Sequence, residues 1–320
     1  MKILVRAVQM RFIIGIWILL GLVSCASTPQ SSRLLEQDSA SAFIQPVNLT
    51  GVPFFPQQKY HCGPAALATV LQANQVDITP DSLVPLVYLP ERQGSMQIEM
   101  LAASRSFDRI AYPLPPLLES IFKEVHQGRP VLVMQNLGLS WYPRWHYAVV
   151  VGYDLASSEL LLHSGTRENY RVSLKLFERT WQRADHWAMV VLKPGELPAD
   201  NDQLRYFSAV SALENARQDI DLEPAYQAGL QQWPDSSLLA MGMGMGNYFY
   251  RQGQKLDAAE QFTAVLEEDP LYAPAHNNLA QILLELGDKP GALYHAQTAV
   301  TLGGELLPAF RNTLDAILAN

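Results

Sequence analysis

The spacing of hydrophobic positions changes character along the chain, and each change predicts a different architecture. An unbroken apolar run from Phe12 to Val23 comes first, preceded by Lys2, Arg6 and Arg11. Residues 26–46 are rich in Ser, Gln, Ala and Thr and show no apolar period, which is the composition of a flexible tether. From Cys62 to Asn74, Leu67, Val70 and Leu71 recur at helical spacing, and alanines at 65, 66, 68 and 73 admit close neighbours. Gly63 and Pro64 suit a first turn, where proline sacrifices no hydrogen bond, so Cys62 is placed at a helix N-terminus. Further helices are predicted over residues 96–106 and 116–127. After Gly128 and Pro130 the pattern shortens to that of strands, at 131–135, 146–153, 159–163, 170–173 and 187–192, with turns at 154–158 and 165–168. Helices followed by antiparallel strands predict an α+β domain over residues 47–193. A linker rich in Pro, Gly and Asp occupies 194–203, and residues 204–320 read as all-α.

That last segment repeats itself. Counting from Leu239, Gly246 is eighth, Ala258 twentieth, Phe262 twenty-fourth and Pro270 thirty-second. A second copy starts at Ala273 and places Ala280, Ala292 and Ala296 at the eighth, twentieth and twenty-fourth positions, so the period is 34 residues. Small residues there let two antiparallel helices approach closely. Tyr226, Leu230 and Pro234 form a weaker copy ahead, and a capping helix is expected over 307–318. The pattern resembles tetratricopeptide repeats, whose stacked helices offer a concave surface to a protein partner. Gly242, Gly244 and Gly246 lack the lysine and hydroxyl residue of a phosphate loop and are read as packing positions.

Charge and cysteine usage narrow the chemistry. With 31 acidic and 23 basic residues the net charge is −8, which argues against nucleic acid as a partner. No recognised ligand spacing joins the histidines to a cysteine, so neither a metal nor another cofactor is expected. The basic N-terminus and short apolar run have the shape of an export signal and are too short for a permanent span. Leu22, Val23, Ser24 and Cys25 resemble the bacterial lipoprotein box. That resemblance implies a signal peptide over residues 1–25, a lipid on Cys25 as the link to the membrane, and, with Ala26 rather than aspartate next, an outer-membrane protein facing the periplasm. Only two cysteines exist, so Cys62 then has no disulfide partner within the chain.

An unpaired thiol in an exported protein is buried or used. A cysteine nucleophile reacts as the thiolate, which a helix N-terminus and a nearby imidazolium both favour. Among the seven histidines His146 is best placed, because it opens an apolar strand. Trp141, Tyr142 and Trp145 just before it are expected to pack and shield it. A side-chain amide ahead of the nucleophile can join the Cys62 N–H in holding an oxyanion, and Gln57 and Gln58 both qualify.

Taken together, Val52 to Gln57, Cys62 to Leu67, and the strand from His146 to Gly152, Tyr153 and Asp154 resemble the papain-like cysteine peptidases that cleave bacteriocin leader peptides after double glycine. The resemblance covers about residues 47–193. It implies that Cys62 is the nucleophile, His146 the general base and acid, and Gln57 the oxyanion amide, one residue nearer the cysteine than is usual in the family. Where the family places an aspartate followed by proline, this chain has His163, Ser164 and Gly165. His163, Ser164 and Asp154 are therefore the candidates for a third member that orients His146. The implied activity is peptide-bond hydrolysis through a thioester, on a peptide or protein substrate, with the repeats recruiting a protein partner or that substrate. The missing aspartate raises an alternative, a catalytically degenerate peptide-binding assembly or secretion factor.

Overall fold

The computed structural model describes residues 28–36, 42–57, 60–234 and 238–319. The proposed signal peptide, Cys25 and Gln58 lie outside the described residues. Among the described residues, no helix is long and apolar enough to cross a membrane.

Residues 26–46, expected as an irregular tether, contain a helix, α1 (Pro29–Glu36), with Ser31 and Leu34 buried. The expectation is corrected by a contact 147 residues away in sequence. The Glu178 carboxylate accepts from the backbone N–H groups of Gln30 (2.9 Å) and Ser31 (2.7 Å) and from the Ser31 hydroxyl (2.5 Å). A carboxylate there satisfies the unpaired amides of the first helical turn and complements the helix dipole. No local pattern reveals a cap supplied by another element. Glu178→Ala strands those donors, and α1 is expected to detach. Amide exchange over residues 29–36 should then accelerate about tenfold or more; unchanged exchange would mean that the cap is immaterial.

The elements that follow are β1 (Val47–Asn48), α2 (Cys62–Ala73), α3 (Pro80–Val87), α4 (Gln97–Ser106), β2 (Ile110–Pro113), α5 (Leu118–His126), β3 (Val131–Asn136), β4 (Trp145–Asp154), β5 (Glu159–Ser164), β6 (Arg167–Ser173), α6 (Leu174–Gln182) and β7 (Ala188–Leu192). The strands lie in the order β2-β7-β3-β4-β5-β6, with β1 added to β4. β4 is central and antiparallel to β1, β3 and β5. It is buried from Tyr147 to Tyr153, which is why its sequence is a continuous apolar run rather than an alternation. The predicted helices and strands all form, with ends displaced by a few residues. β1, α3, β2 and α6 are additions to that pattern. α6 does carry a helical stripe, with Leu174, Phe177 and Trp181 buried on one face and the Ser173 hydroxyl capping its start.

The described residues fall into two compact units. Residues up to 73, 78–95 and 114–189 form the first, and residues 74–77, 96–113 and 190 onward the second. The second unit contains α7 (Gln203–Ala216), α8 (Glu223–Gln232), a π-helical turn at Leu238–Gly242 leading into α9 (Met243–Arg251), then α10 (Lys255–Glu268), α11 (Ala273–Glu285), α12 (Lys289–Leu302) and α13 (Leu307–Ala319). The repeat positions meet as their spacing requires. Ala280, Ala292 and Ala296 form one buried cluster with Ile317. A Cβ on Gly246 would lie 2.6 Å from the Phe262 ring, so the eighth position is small because the twenty-fourth is aromatic. Gly244 faces Tyr226 and Phe207 equally tightly.

Candidate active site

Cys62 is the first residue of α2, where the backbone N–H groups of the opening turn have no partner within the helix. Burial pushes its thiol above the ordinary value, and hydrogen bonds from the backbone of Tyr147, Gly63 and Cys62 itself oppose that shift without cancelling it. The bond from Tyr147 places the sulfur against β4, beside the residue that follows His146.

His146 stands near the start of β4, its Nε2 2.9 Å from the Ser164 hydroxyl at the end of β5. Burial, aided by the positive charge of Arg167, lowers its pKa to about 4. At neutral pH the site therefore rests as thiol and neutral imidazole. Nε2 is engaged by the serine, so Nδ1 is the ring nitrogen that this contact leaves over.

Gln57 completes the cluster. Its Nε2 donates to the Tyr147 carbonyl (3.4 Å) and its backbone N–H donates to the Gly165 carbonyl (3.0 Å). The Tyr147 residue is thus met by Cys62 at its N–H and by Gln57 at its carbonyl. The short turn after β5 supports both sides, since Ser164 meets His146 and Gly165, with φ of +63°, meets Gln57. The sequence pattern marks Gly165 only as a turn residue. The positive φ is the reason for glycine there.

Of the three candidates for orienting His146, Ser164 is the one in contact. His163 points elsewhere, with Nε2 3.3 Å from the Val52 carbonyl and Nδ1 accepting from the Asn169 N–H at 3.3 Å, so both ring nitrogens are occupied. Adjacent residues on a strand face opposite sides of the sheet, and that alternation separates Ser164 from His163. Asp154 terminates the other end of β4 and accepts from the N–H groups of Ala156 and Ser157 in the following turn. The readings of His163 and Asp154 as orienting residues are corrected accordingly.

The aromatic cluster is also not what its composition suggested. Trp141, Tyr142 and Trp145 are 80%, 68% and 53% exposed, so they do not pack over the histidine. A shallow groove lined by Phe55, Pro56, His61, Ala65, Pro80 and Asp81 runs beside the N-terminus of α2. Among the described residues, no group of three or more His, Cys, Asp or Glu side chains is placed to hold a metal ion.

A cysteine at a helix N-terminus, set against a histidine-bearing antiparallel strand and preceded by glutamine, is the arrangement of a cysteine-peptidase fold. Residues 49–189 match the peptidase C39-like family and residues 243–305 match the tetratricopeptide repeat. The chain joins a peptidase C39-like domain to helical repeats. Among solved structures it is similar to a C39-like peptidase from Bacillus anthracis, at 17% identity and TM-score 0.40 over 47% of this chain and 98% of that one. It is also similar to the peptidase domain of Streptococcus ComA, a bi-functional ABC transporter involved in quorum sensing, at 19% identity and TM-score 0.37 over 44% of this chain and 98% of that one. No curated protein matches.

Proposed function

We propose that this protein is a lipid-anchored cysteine peptidase of the outer membrane, facing the periplasm, whose repeats recruit a protein partner or substrate. The observation that carries the reading is the convergence of Cys62, the His146 strand and Gln57 on the single residue Tyr147. In the proposed reaction His146 Nδ1 takes the thiol proton as sulfur attacks the scissile carbonyl carbon. The oxyanion is held by the Gln57 amide and the Cys62 N–H. The imidazolium then protonates the leaving amine, and water hydrolyses the thioester to release the acid and regenerate the thiol. No cofactor enters these steps. Because the resting pair is neutral, the attacking thiolate is a minority species that grows as pH rises, and His146 is protonated only below about pH 4.

The test is iodoacetamide labelling of residues 26–320 across pH, beside hydrolysis of a peptide library. This form contains one thiol. Labelling should be slow at neutral pH and rise with a midpoint at or above the ordinary thiol value of about 8.5. Peptide hydrolysis should fall by about 100-fold or more in both Cys62→Ala and His146→Ala. Rapid labelling near pH 5 would overturn the neutral resting pair, and hydrolysis that survives Cys62→Ala would overturn the mechanism. One observation favours the second reading, a peptide-binding factor without turnover: Ser164 is neutral where an aspartate would stabilise imidazolium. That reading requires saturable peptide binding with no cleavage.

A further inference from the structure

We propose that the β3–β4 hairpin is a membrane-docking element that inserts its aromatic tip into the interface of a phospholipid bilayer. Trp141 (80% exposed) and Tyr142 project from this hairpin together with Leu137 and Leu139, both about half exposed. Exposed apolar side chains clustered on one loop are costly in water and mark an interaction surface. The hairpin is held rigidly. Asn136, itself buried, accepts on its side-chain oxygen from the N–H groups of Gly138 and Arg144 (2.9 Å each), and Leu139 and Tyr142 exchange backbone hydrogen bonds of 3.1 Å. At Gly138 a Cβ would lie 2.4 Å from the Tyr142 carbonyl oxygen, so the tight form of the loop depends on glycine. The tip is preorganised rather than collapsed.

Two observations select a bilayer as the occupant. The first is chemistry: residues 136–146 contain Trp, Tyr, Leu, Ser, Pro and Arg but no Asp or Glu, in a chain with 31 acidic residues. Indole and phenol rings favour the boundary between headgroups and acyl chains. The second is position, and it rests on the lipid-anchor reading above. Cys25 precedes the first described residue, Thr28, by three peptide units, a reach of at most about 10 Å. Gln30 and Ser31 are then fixed on Glu178 of α6. Five residues further on, about 7.5 Å along the helix axis, Arg183 at the C-terminal end of α6 donates from Nε and Nη2 to the Asn136 carbonyl at the base of the hairpin (3.2 and 3.0 Å). The end of the chain nearest the lipid and the root of the aromatic hairpin are thus clamped to one helix. A lipid on Cys25 would hold the hairpin within reach of the bilayer surface, beside the strand that carries His146.

The test uses residues 26–320 without lipid, which include every described residue, with phosphatidylcholine vesicles and vesicles of phosphatidylethanolamine and phosphatidylglycerol. Co-sedimentation with both is expected, with partitioning reduced at least tenfold in Trp141→Ala/Tyr142→Ala. Trp141→Phe should retain most of the partitioning while losing much of the fluorescence quenching by brominated lipid. Absence of sedimentation at millimolar lipid would overturn the proposal, as would equal partitioning of the double variant. A tenfold rise in KM for a soluble peptide in the double variant, with vesicle binding unchanged, would assign the hairpin to substrate and overturn it too. Lipidation is tested separately by palmitate labelling of the full chain and its loss in Cys25→Ala, so failure of the anchor reading and failure of the hairpin proposal remain distinguishable.

Discussion

Ser164→Asp is expected to raise the pKa of His146 from about 4 by about 1–3 units and to accelerate peptide hydrolysis at neutral pH by about tenfold or more. The serine hydroxyl already lies 2.9 Å from Nε2, so a carboxylate introduced there meets the same nitrogen and favours imidazolium directly. It also offers a partner to Arg167, whose charge now opposes protonation of the ring. Ser164 is largely buried, which limits screening by water and enlarges the effect. Iodoacetamide labelling against pH is the direct readout, and its midpoint should move down as thiolate and imidazolium become the favoured pair. A profile superimposable on that of the parent protein would show that His146 is not controlled from this position. Loss of folding, checked by thermal melting, would be met by Ser164→Asn, which keeps the hydrogen bond without the charge and is expected to leave the midpoint unchanged.

Gly152→Ala should lower stability by about 2–3 kcal/mol, equivalent to about 5–10 °C in Tm. Gly152 lies on β4 where β1 crosses it, paired with Asn48, and a Cβ would lie 2.3 Å from the Val47 carbonyl oxygen. The obstructing atom is backbone, so no rotamer change relieves the clash and β1 itself has to move. The Leu49 N–H donates to the Val151 carbonyl at 2.8 Å, and the segment that follows runs on to Gln57. Displacing β1 therefore also disturbs Gln57, the proposed oxyanion amide, and hydrolysis should fall more than the melting temperature alone explains. Gly51→Ala is the control from the same segment, because nothing lies within 4 Å of its Cβ position and the change should be nearly neutral. Equal melting temperatures for the two variants would show that β1 yields without cost.

Much of the site is legible in the sequence because its main signals are local. Placement of Cys62 needs only an alanine-rich helical period and a Gly-Pro start, and His146 needs only the apolar strand it opens. The third partner is not legible there. His163 and Ser164 are neighbours in sequence, and which of them faces His146 depends on the pairing of β5 with β4, where Val149 lies opposite His163. A shift of one residue would exchange them, since side chains alternate across the sheet. Trp141, Tyr142 and Trp145 fail as core residues for a related reason: hydrophobicity states what burial would gain, while only the turn of the hairpin states whether anything is there to bury them.

Spacing along the chain is sufficient for the α+β unit followed by repeats, the helix carrying Cys62, the strand carrying His146 and the small positions that let repeat helices touch. Each of these follows from a pattern within one element or from a fixed period between elements. Long-range packing sets the cap that Glu178 places on α1, the choice of Ser164 over His163 and Asp154, the meeting of Cys62 and Gln57 at Tyr147, and the outward projection of the aromatic hairpin. Those relations join residues far apart in the chain, and the physics that sets them, hydrogen-bond satisfaction, strand register and burial, acts only once the distant segments have been brought together.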